Sequence, residues 1–290
     1  MKNIENANMG QYTSFKTGGT VRELIIADTE EDLLQAVKKV GSESFLLLGN
    51  GSNTLFASDH YDGAVIKLGD GFDYVDISDD GTIKVGAATL LSKLSKAVGS
   101  QGFTGLEFAG GIPGSVGGAV FMNAGAYDGE IKNTLKGIKA LCDKSEIRYI
   151  DANDLDLSYR HSKIMETGDI ILEAYFELKR GDKEEIAALM KDLSNRRSSK
   201  QPLEFPSAGS FFKRPPAKDG QTLYAGKLIE DSGLKGFSVG GAEISEKHAG
   251  FLINKGGATT QDILDLMEAV QKKVKSDSGV DLEPEVRIIR

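Results

Sequence analysis

The sequence predicts an α+β protein, and three observations carry the prediction. Residues 21–68 run strand, helix, strand and then a glycine-rich loop. Residues 63–178 string short strands between turn residues, with a helix near 90–98. Residues 183–277 place short strands between two long helices. A length of 290 residues suits about two domains. The changes of pattern suggest three segments, 1–60, 61–182 and 183–282, with the tail 283–290 returning to the first.

In the first segment, residues 21–27 (VRELIIA) read as a strand. Thr29 is placed to cap a helix, with Glu30, Glu31 and Asp32 in its first turn and Leu33, Leu34, Val37 and Val40 as its apolar stripe. Residues 44–48 form a second strand that runs straight into Gly49-Asn50-Gly51-Ser52-Asn53. The second segment reads as strands at 63–68, 74–77, 82–87, 135–142, 147–151 and 169–178. Within it, residues 109–125 (AGGIPGSVGGAVFMNAG) are too glycine-dense for a regular core element. The third segment opens on a helix at 183–201 with Ile186, Leu189, Met190 and Leu193 on one face. A loop (LEFPSAGSFFKRPP), a short helix at 225–231 and strands at 237–244 and 251–254 follow. A long helix begins at Thr259 or Thr260 and carries Ile263, Leu266, Met267 and Val270, and residues 285–289 form a last strand.

Composition narrows the function classes. Hydrophobic residues are 40% and charged residues 27%, as in an ordinary soluble enzyme. No apolar run is long enough for a membrane span, and the start, MKNIENANMG, has no apolar signal core, so a cytoplasmic protein is expected. The net charge of −8 gives no footprint for nucleic acid. Arg196, Arg197, Lys200, Lys213 and Arg214 remain candidates for a local basic pocket. The single cysteine, Cys142, cannot form an internal disulfide. His60, His161 and His248 are too dispersed for a zinc motif, so no metal is expected.

Glycine is the outlier, with 35 residues, about twice the usual ~7%. The segment at 110–118 has neither GxGxxG nor GxxxxGK[ST] spacing, so the Rossmann and P-loop readings fail. Glycines still let backbone N–H groups approach an anion closely. Two such loops, neither flanked by lysine, suit a dinucleotide pyrophosphate better than a transferred phosphate. Spacing alone leaves tight turns and close packing as an equal explanation.

Further segments add a resemblance. They are YTSFKTGG at 12–19, LGNGSN at 48–53, GGIPGSVGGAVFMNAGAY at 110–127, SYRHS at 158–162, PSAGSFFK at 206–213, AGKLIE at 225–230, HAGF at 248–251 and LEPEVR at 282–287. In this order, across nearly the whole chain, they resemble the UDP-N-acetylenolpyruvoylglucosamine reductase (MurB) family. The resemblance implies a vanillyl-alcohol-oxidase/PCMH-type FAD-binding unit of two α/β subdomains, followed by a C-terminal α/β substrate-binding domain. It implies non-covalent FAD, with its pyrophosphate against Gly49, Asn50, Gly51, Ser52 and Asn53 and against Gly110, Gly111, Ile112, Pro113, Gly114 and Ser115. Gly118, Asn123 and Ala124 are placed in the same cofactor set.

The implied reaction belongs to peptidoglycan precursor synthesis. NADPH gives hydride to FAD, and reduced FAD gives hydride from N5 to the methylene carbon of UDP-N-acetylglucosamine enolpyruvate. UDP-N-acetylmuramate is the product. Arg160 matches the guanidinium that clamps the substrate carboxylate, Glu285 the carboxylic acid on its other side, and Ser210 the proton donor to the carbanion carbon. Tyr159, Lys213 and Arg214 are the substrate-binding candidates, although the family often has asparagine where Arg214 stands. Read singly, Arg160 fits a surface ion pair, Ser210 a turn and Glu285 an edge-strand charge. His161 and His248 read as structural. The short stretch from Arg160 to Ser210 matches the class without a substrate-closing loop. A monomer or weak dimer is expected. The alternative is another FAD-dependent oxidase or dehydrogenase of this fold acting on an alcohol.

Overall fold

The structure is a computed structural model that describes residues 1–41, 43, 45–217 and 220–290. The strand expected at 44–48 therefore has its first residue, Ser44, outside the described residues. Packing groups the chain into two units. Unit 1 takes residues 1–5, 23–50 and 63–197, and unit 2 takes residues 6–22, 51–62 and 198–290. Each of the segments 1–60, 61–182 and 183–282 is thus shared between the two units.

In unit 1, helix α1 (Glu30–Val40) starts as its sequence predicts. The Thr29 side chain accepts from the Asp32 N–H, and Leu33, Ala36, Val37 and Val40 are buried. Phe45–Leu47 runs parallel to His60–Leu68, pairing Leu46 with Val65. The larger part of a four-stranded sheet lies here, in the order Lys2–Asn8, Thr20–Ala27, His60–Leu68, Phe45–Leu47. A five-stranded antiparallel sheet follows, in the order Glu146–Asp151, Leu135–Cys142, Ile170–Glu177, Thr82–Gly86, Val75–Ile77. Helices α2 (Leu91–Ser100), α3 (Val116–Phe121) and α4 (Ile164–Thr167), with α5 (Lys183–Lys200) as far as Arg197, complete the unit.

One core joins these layers. Leu33, Ile66, Val85, Leu94, Val116, Val120, Ile138, Leu172 and Phe176 all belong to it. Each such side chain contributes about 1.5–3 kcal/mol on burial. Helix α5 buries Ile186 and Leu193, whereas Leu189, expected on the same face, is 45% exposed.

The glycine segment corrects the expectation of an irregular stretch. Within it residues 116–121 form helix α3, with Val116, Ala119 and Val120 buried. Its glycines serve close packing. A Cβ on Gly117 would lie 2.9 Å from the Ala87 Cβ, so only glycine lets this turn seat on the sheet.

In unit 2, Ser207–Ser210, Phe251–Asn254, Ala242–Ile244 and Ser238–Val239 form an antiparallel sheet in that order. The single strand expected at 237–244 is a hairpin, because Gly240 takes a φ of +53° and turns the chain. Helix α6 (Ala225–Asp231) and helix α7 (Thr260–Ser278) pack on a second core with Phe211, Ile229, Leu252, Leu266 and Val270. Thr259 caps α7 in a reciprocal capping box with Asp262. The tail strand Arg287–Ile289 runs parallel to Thr54–Phe56. No helix among the described residues is long and apolar enough to cross a membrane, and no cluster of acidic, histidine or cysteine residues among them suits a metal.

Candidate active site

The first two residues of the first glycine loop, Gly49 and Asn50, meet the second loop inside unit 1, and Gly51, Ser52 and Asn53 belong to unit 2. The Leu48 N–H makes the last ladder bond, to the Ile66 carbonyl at 2.9 Å, and the loop leaves the strand at Gly49. A Cβ on Gly49 would stand 2.6 Å from the Ser115 Oγ. The Asn50 side chain donates to the Pro113 carbonyl at 2.5 Å. The second loop is held from behind. Helix α2 has no side-chain cap, and its Leu91 N–H takes the Gly114 carbonyl instead, at 2.9 Å. Ser115 caps α3 through Gly118.

These contacts decide which amides are left for a ligand. The first amides of α3 are already used, Val116 by the Thr89 carbonyl, Gly117 by the Ala87 carbonyl and Gly118 by the Ser115 hydroxyl. Among the described residues nothing accepts from the N–H groups of Asn50, Gly114 and Ser115. Uncommitted amides beside side-chain-free backbone are what a pyrophosphate needs. The residues present therefore fit FAD.

Asn123 has a different place. It is buried with φ +40°, donates to the Glu130 carboxylate at 2.8 Å and to the Ser158 carbonyl at 2.9 Å, and accepts from the Lys132 N–H. Both amide hydrogens are thereby used within the protein, so its side chain braces the turn that carries Arg160. Ala124 likewise uses both backbone groups, to Ala119 and from Ile131.

The Ser158–His161 turn closes with two backbone bonds of 3.2 Å. Arg160 sits at its tip with φ +55°, a left-handed conformation that costs a non-glycine residue roughly 1–2 kcal/mol. Its guanidinium lies 5.1 Å from the ring centre of the exposed Tyr159, and Nη2 donates to the Gly125 carbonyl at 3.4 Å. Burial opposes charging of Glu130, but Lys132, Asn123 and Arg160 outweigh it and hold that carboxyl below its ordinary value.

In unit 2, Ser210 and Glu285 are brought together. Ser210 is exposed and stands opposite Phe251 in the sheet. Beyond it the segments 211–213 and 283–285 run side by side. The Glu285 N–H donates to the Phe211 carbonyl at 2.8 Å, and the Lys213 N–H to the Glu283 carbonyl at 2.8 Å. The Asn53 side chain donates to the Glu285 carbonyl at 3.1 Å. Lys213 forms an ion pair with Glu283, and Arg214 lies 5.1 Å from the ring centre of Tyr224. Of the cationic groups read as a local basic pocket, Arg196, paired to Asp192, and Arg197 belong to unit 1, and Lys200, Lys213 and Arg214 belong to unit 2.

An FAD binding domain model matches residues 22–151, and the C-terminal domain model of UDP-N-acetylenolpyruvoylglucosamine reductase matches residues 201–289. The chain is 47% identical to UDP-N-acetylenolpyruvoylglucosamine reductase of Clostridium botulinum (strain Eklund 17B / Type B), covering 98% of this chain and 92% of that one. The enzyme of the same name from Alkaliphilus oremlandii (strain OhILAs) is 44% identical over 97% of this chain and 91% of its own. The crystal structure of UDP-N-acetylenolpyruvylglucosamine reductase (MurB) from Thermus caldophilus matches with a TM-score of 0.85 at 33% identity, covering 100% of this chain and 98% of that one.

The chain belongs to the UDP-N-acetylenolpyruvoylglucosamine reductase family.

It is an FAD-dependent oxidoreductase of that family, and its α+β fold with an FAD-binding unit agrees with the sequence reading. Near the cofactor loops one residue, Lys67, escaped that reading, and a second, Arg197, entered it only as part of a basic pocket. Lys67, on the strand His60–Leu68, donates to the Gly49 carbonyl at 2.6 Å, and burial lowers the affinity of its amine for a proton. Its signal was a lysine inside the apolar run AVIKL. Arg197 lies against Gly111, where a Cβ would come 2.7 Å from its Cδ. It borders a cavity of about 690 Å³ whose wall also includes Gly110 and Tyr127.

Proposed function

We propose that this reductase converts UDP-N-acetylglucosamine enolpyruvate to UDP-N-acetylmuramate, with NADPH as reductant, and that Arg160, Ser210 and Glu285 are its catalytic residues. The observation that carries the site assignment is the backbone bond from Glu285 to Phe211, which fixes Glu285 beside the peptide that follows Ser210. Bound FAD supplies the hydride chemistry, which no side chain of the protein can perform.

The residues do the remaining work. Hydride addition at the methylene carbon leaves negative charge on the neighbouring carbon and its carboxylate. Arg160 offers a planar fork of donors to that carboxylate. Glu285, as the carboxylic acid, donates a hydrogen bond to the charge as it develops. The Ser210 hydroxyl delivers its proton to the carbanion carbon, and solvent returns a proton to Ser210. Asn50, Gly114 and Ser115 present main-chain N–H groups to the cofactor pyrophosphate. Tyr159, Lys213 and Arg214 are the candidates for the uridine diphosphate end.

Consumption of NADPH, followed by its near-ultraviolet absorbance with and without the enolpyruvyl sugar nucleotide, tests the reading. Substrate-stimulated oxidation with formation of the lactyl ether is expected. Its absence, or flavin reduction by a simple alcohol in place of NADPH, overturns it.

A further inference from the structure

We propose that His248 is a positioning residue, whose imidazole holds the peptide relay that sets Ser210 and Glu285 in place. The proposal rests on the reading of these two residues as catalytic.

The relay is a run of backbone bonds within unit 2. The Gly250 N–H donates to His248 Nδ1 at 3.1 Å. The carbonyl of Gly250 accepts from the Phe211 N–H at 2.9 Å, and the carbonyl of Phe211 accepts from the Glu285 N–H at 2.8 Å. A fixed Gly250 peptide therefore fixes the residue after Ser210, and that residue fixes Glu285.

Ser210 needs such an anchor. The pairing of its strand is irregular between Ser207 and Ser210, where Gly209 turns with φ +76°. The Phe211–Gly250 bond is the first backbone bond after this irregularity. A strand end bearing a proton donor must be held within a fraction of an ångström to act on carbon.

The ring has a slot built for it. A Cβ on Gly250 would stand 3.0 Å from His248 Cε1 and 3.2 Å from Nδ1. A Cβ on Gly226 of α6 would come 3.2 Å from the Gly250 nitrogen and 3.4 Å from His248 Cε1. Two glycines thus leave the space the imidazole fills. Phe251 meets it edge to face at 5.0 Å, and the Ser245 hydroxyl accepts from the His248 N–H at 3.3 Å. Acceptance at Nδ1 requires the neutral ring with its proton on Nε2. Burial favours that neutral form by pushing the imidazole below its ordinary value.

The test compares His248→Leu, which removes the acceptor, with His248→Asn, whose side-chain oxygen can accept from the N–H two residues on. Flavin reduction by NADPH and single-turnover reoxidation by the enolpyruvyl substrate are timed separately. Amide hydrogen exchange of residues 207–212 is followed in parallel. In His248→Leu, reoxidation is expected to slow about tenfold, the effect of one lost hydrogen bond, while reduction by NADPH stays near wild type. Exchange of 207–212 rises in the same variant, and His248→Asn recovers most of both effects. Equal slowing of both half-reactions, no effect, or an Asn variant as impaired as Leu overturns the proposal. So does a nitrogen NMR spectrum of the wild-type protein with the His248 proton on Nδ1. Wild-type protein that never reoxidises with substrate refutes the proposed reaction instead, while the exchange and tautomer results still judge the relay.

Discussion

The backbone N–H of Glu285 donates to the Phe211 carbonyl at 2.8 Å, one peptide beyond Ser210. Ser210 and Glu285, 75 positions apart in sequence, are thereby tied through a bond between backbones, which survives exchange of their side chains for any residue but proline at 285. Side-chain substitutions at the two positions therefore probe chemistry more than folding.

Ser210→Ala and Glu285→Gln are each expected to leave flavin reduction by NADPH close to wild type. Reoxidation by the enolpyruvyl substrate falls about 10²-fold or more in each, the usual effect of removing one proton donor or one stabilising donor. Stopped-flow absorbance of the flavin separates the two steps. Loss of both steps together would place these residues at the cofactor and not at the substrate.

Gly49→Ala tests the junction of the two loops. The new methyl would overlap the Ser115 Oγ and push it off the Gly118 N–H that it caps at 3.3 Å. FAD affinity is expected to fall about tenfold, the equivalent of one hydrogen bond. The double variant Gly49→Ala/Ser115→Ala removes the overlap, so part of the affinity returns. Fluorescence titration of apoprotein with FAD measures both, and strict additivity of the two changes would show that the residues do not act on one another.

How far the sequence was legible depended on the range of the forces involved. The caps at Thr29 and Thr259 and the glycine loops are local signals, and the helices and loops stand where those residues put them. Helix α3 was hidden because Gly117 and Gly118 read as helix breakers. Their purpose, contact with Ala87 and Ser115, depends on residues outside the segment. The strand Lys2–Asn8 buries only Ala7 fully and so shows no alternation to read. The two packing units interleave in sequence, because Thr54–Phe56 pairs with Arg287–Ile289 across more than two hundred residues. At the site, the roles of Arg160, Ser210 and Glu285 came from resemblance, since no spacing rule joins them. The bracing role of Asn123 depends on partners at 130, 132 and 158 that no local pattern names.

Lys67→Met separates the charge of Lys67 from its bulk. The amine donates to the Gly49 carbonyl, and among the described residues no carboxylate pairs with it. A half-buried cation without a counter-ion weakens the apoprotein, and an anion bound at the loop compensates it. FAD is therefore expected to raise Tm less in Lys67→Met than in wild type. Thermal scans with and without excess FAD measure the difference. An equal rise in both proteins would show that the amine supports the loop alone.

The pH dependence of stability has a definite source in unit 1. Glu173 is buried on the strand Ile170–Glu177, where burial alone would raise its carboxyl. Hydroxyls of Tyr175 and Tyr74 and the amines of Lys139 and Lys84 outweigh burial and bring it below its ordinary value of 4.5. Burial first, and then the Glu173 carboxylate, push both phenols up, so each remains a donor. A folded-state value below the unfolded one means that the unfolded chain binds more protons in acid. The stabilisation is complete above about pH 4.5 and is lost as pH falls through the lower folded value. Glu173→Gln removes the charge that Tyr175 reaches at 2.5 Å and Lys84 at 3.5 Å. At neutral pH the variant is expected to be less stable by about 1–3 kcal/mol, the effect of disturbing a buried charged acceptor. Urea unfolding from pH 7 down to pH 3 checks the sign: the gap between variant and wild type narrows in acid, and a gap that stays constant would mean Glu173 does not titrate with folding.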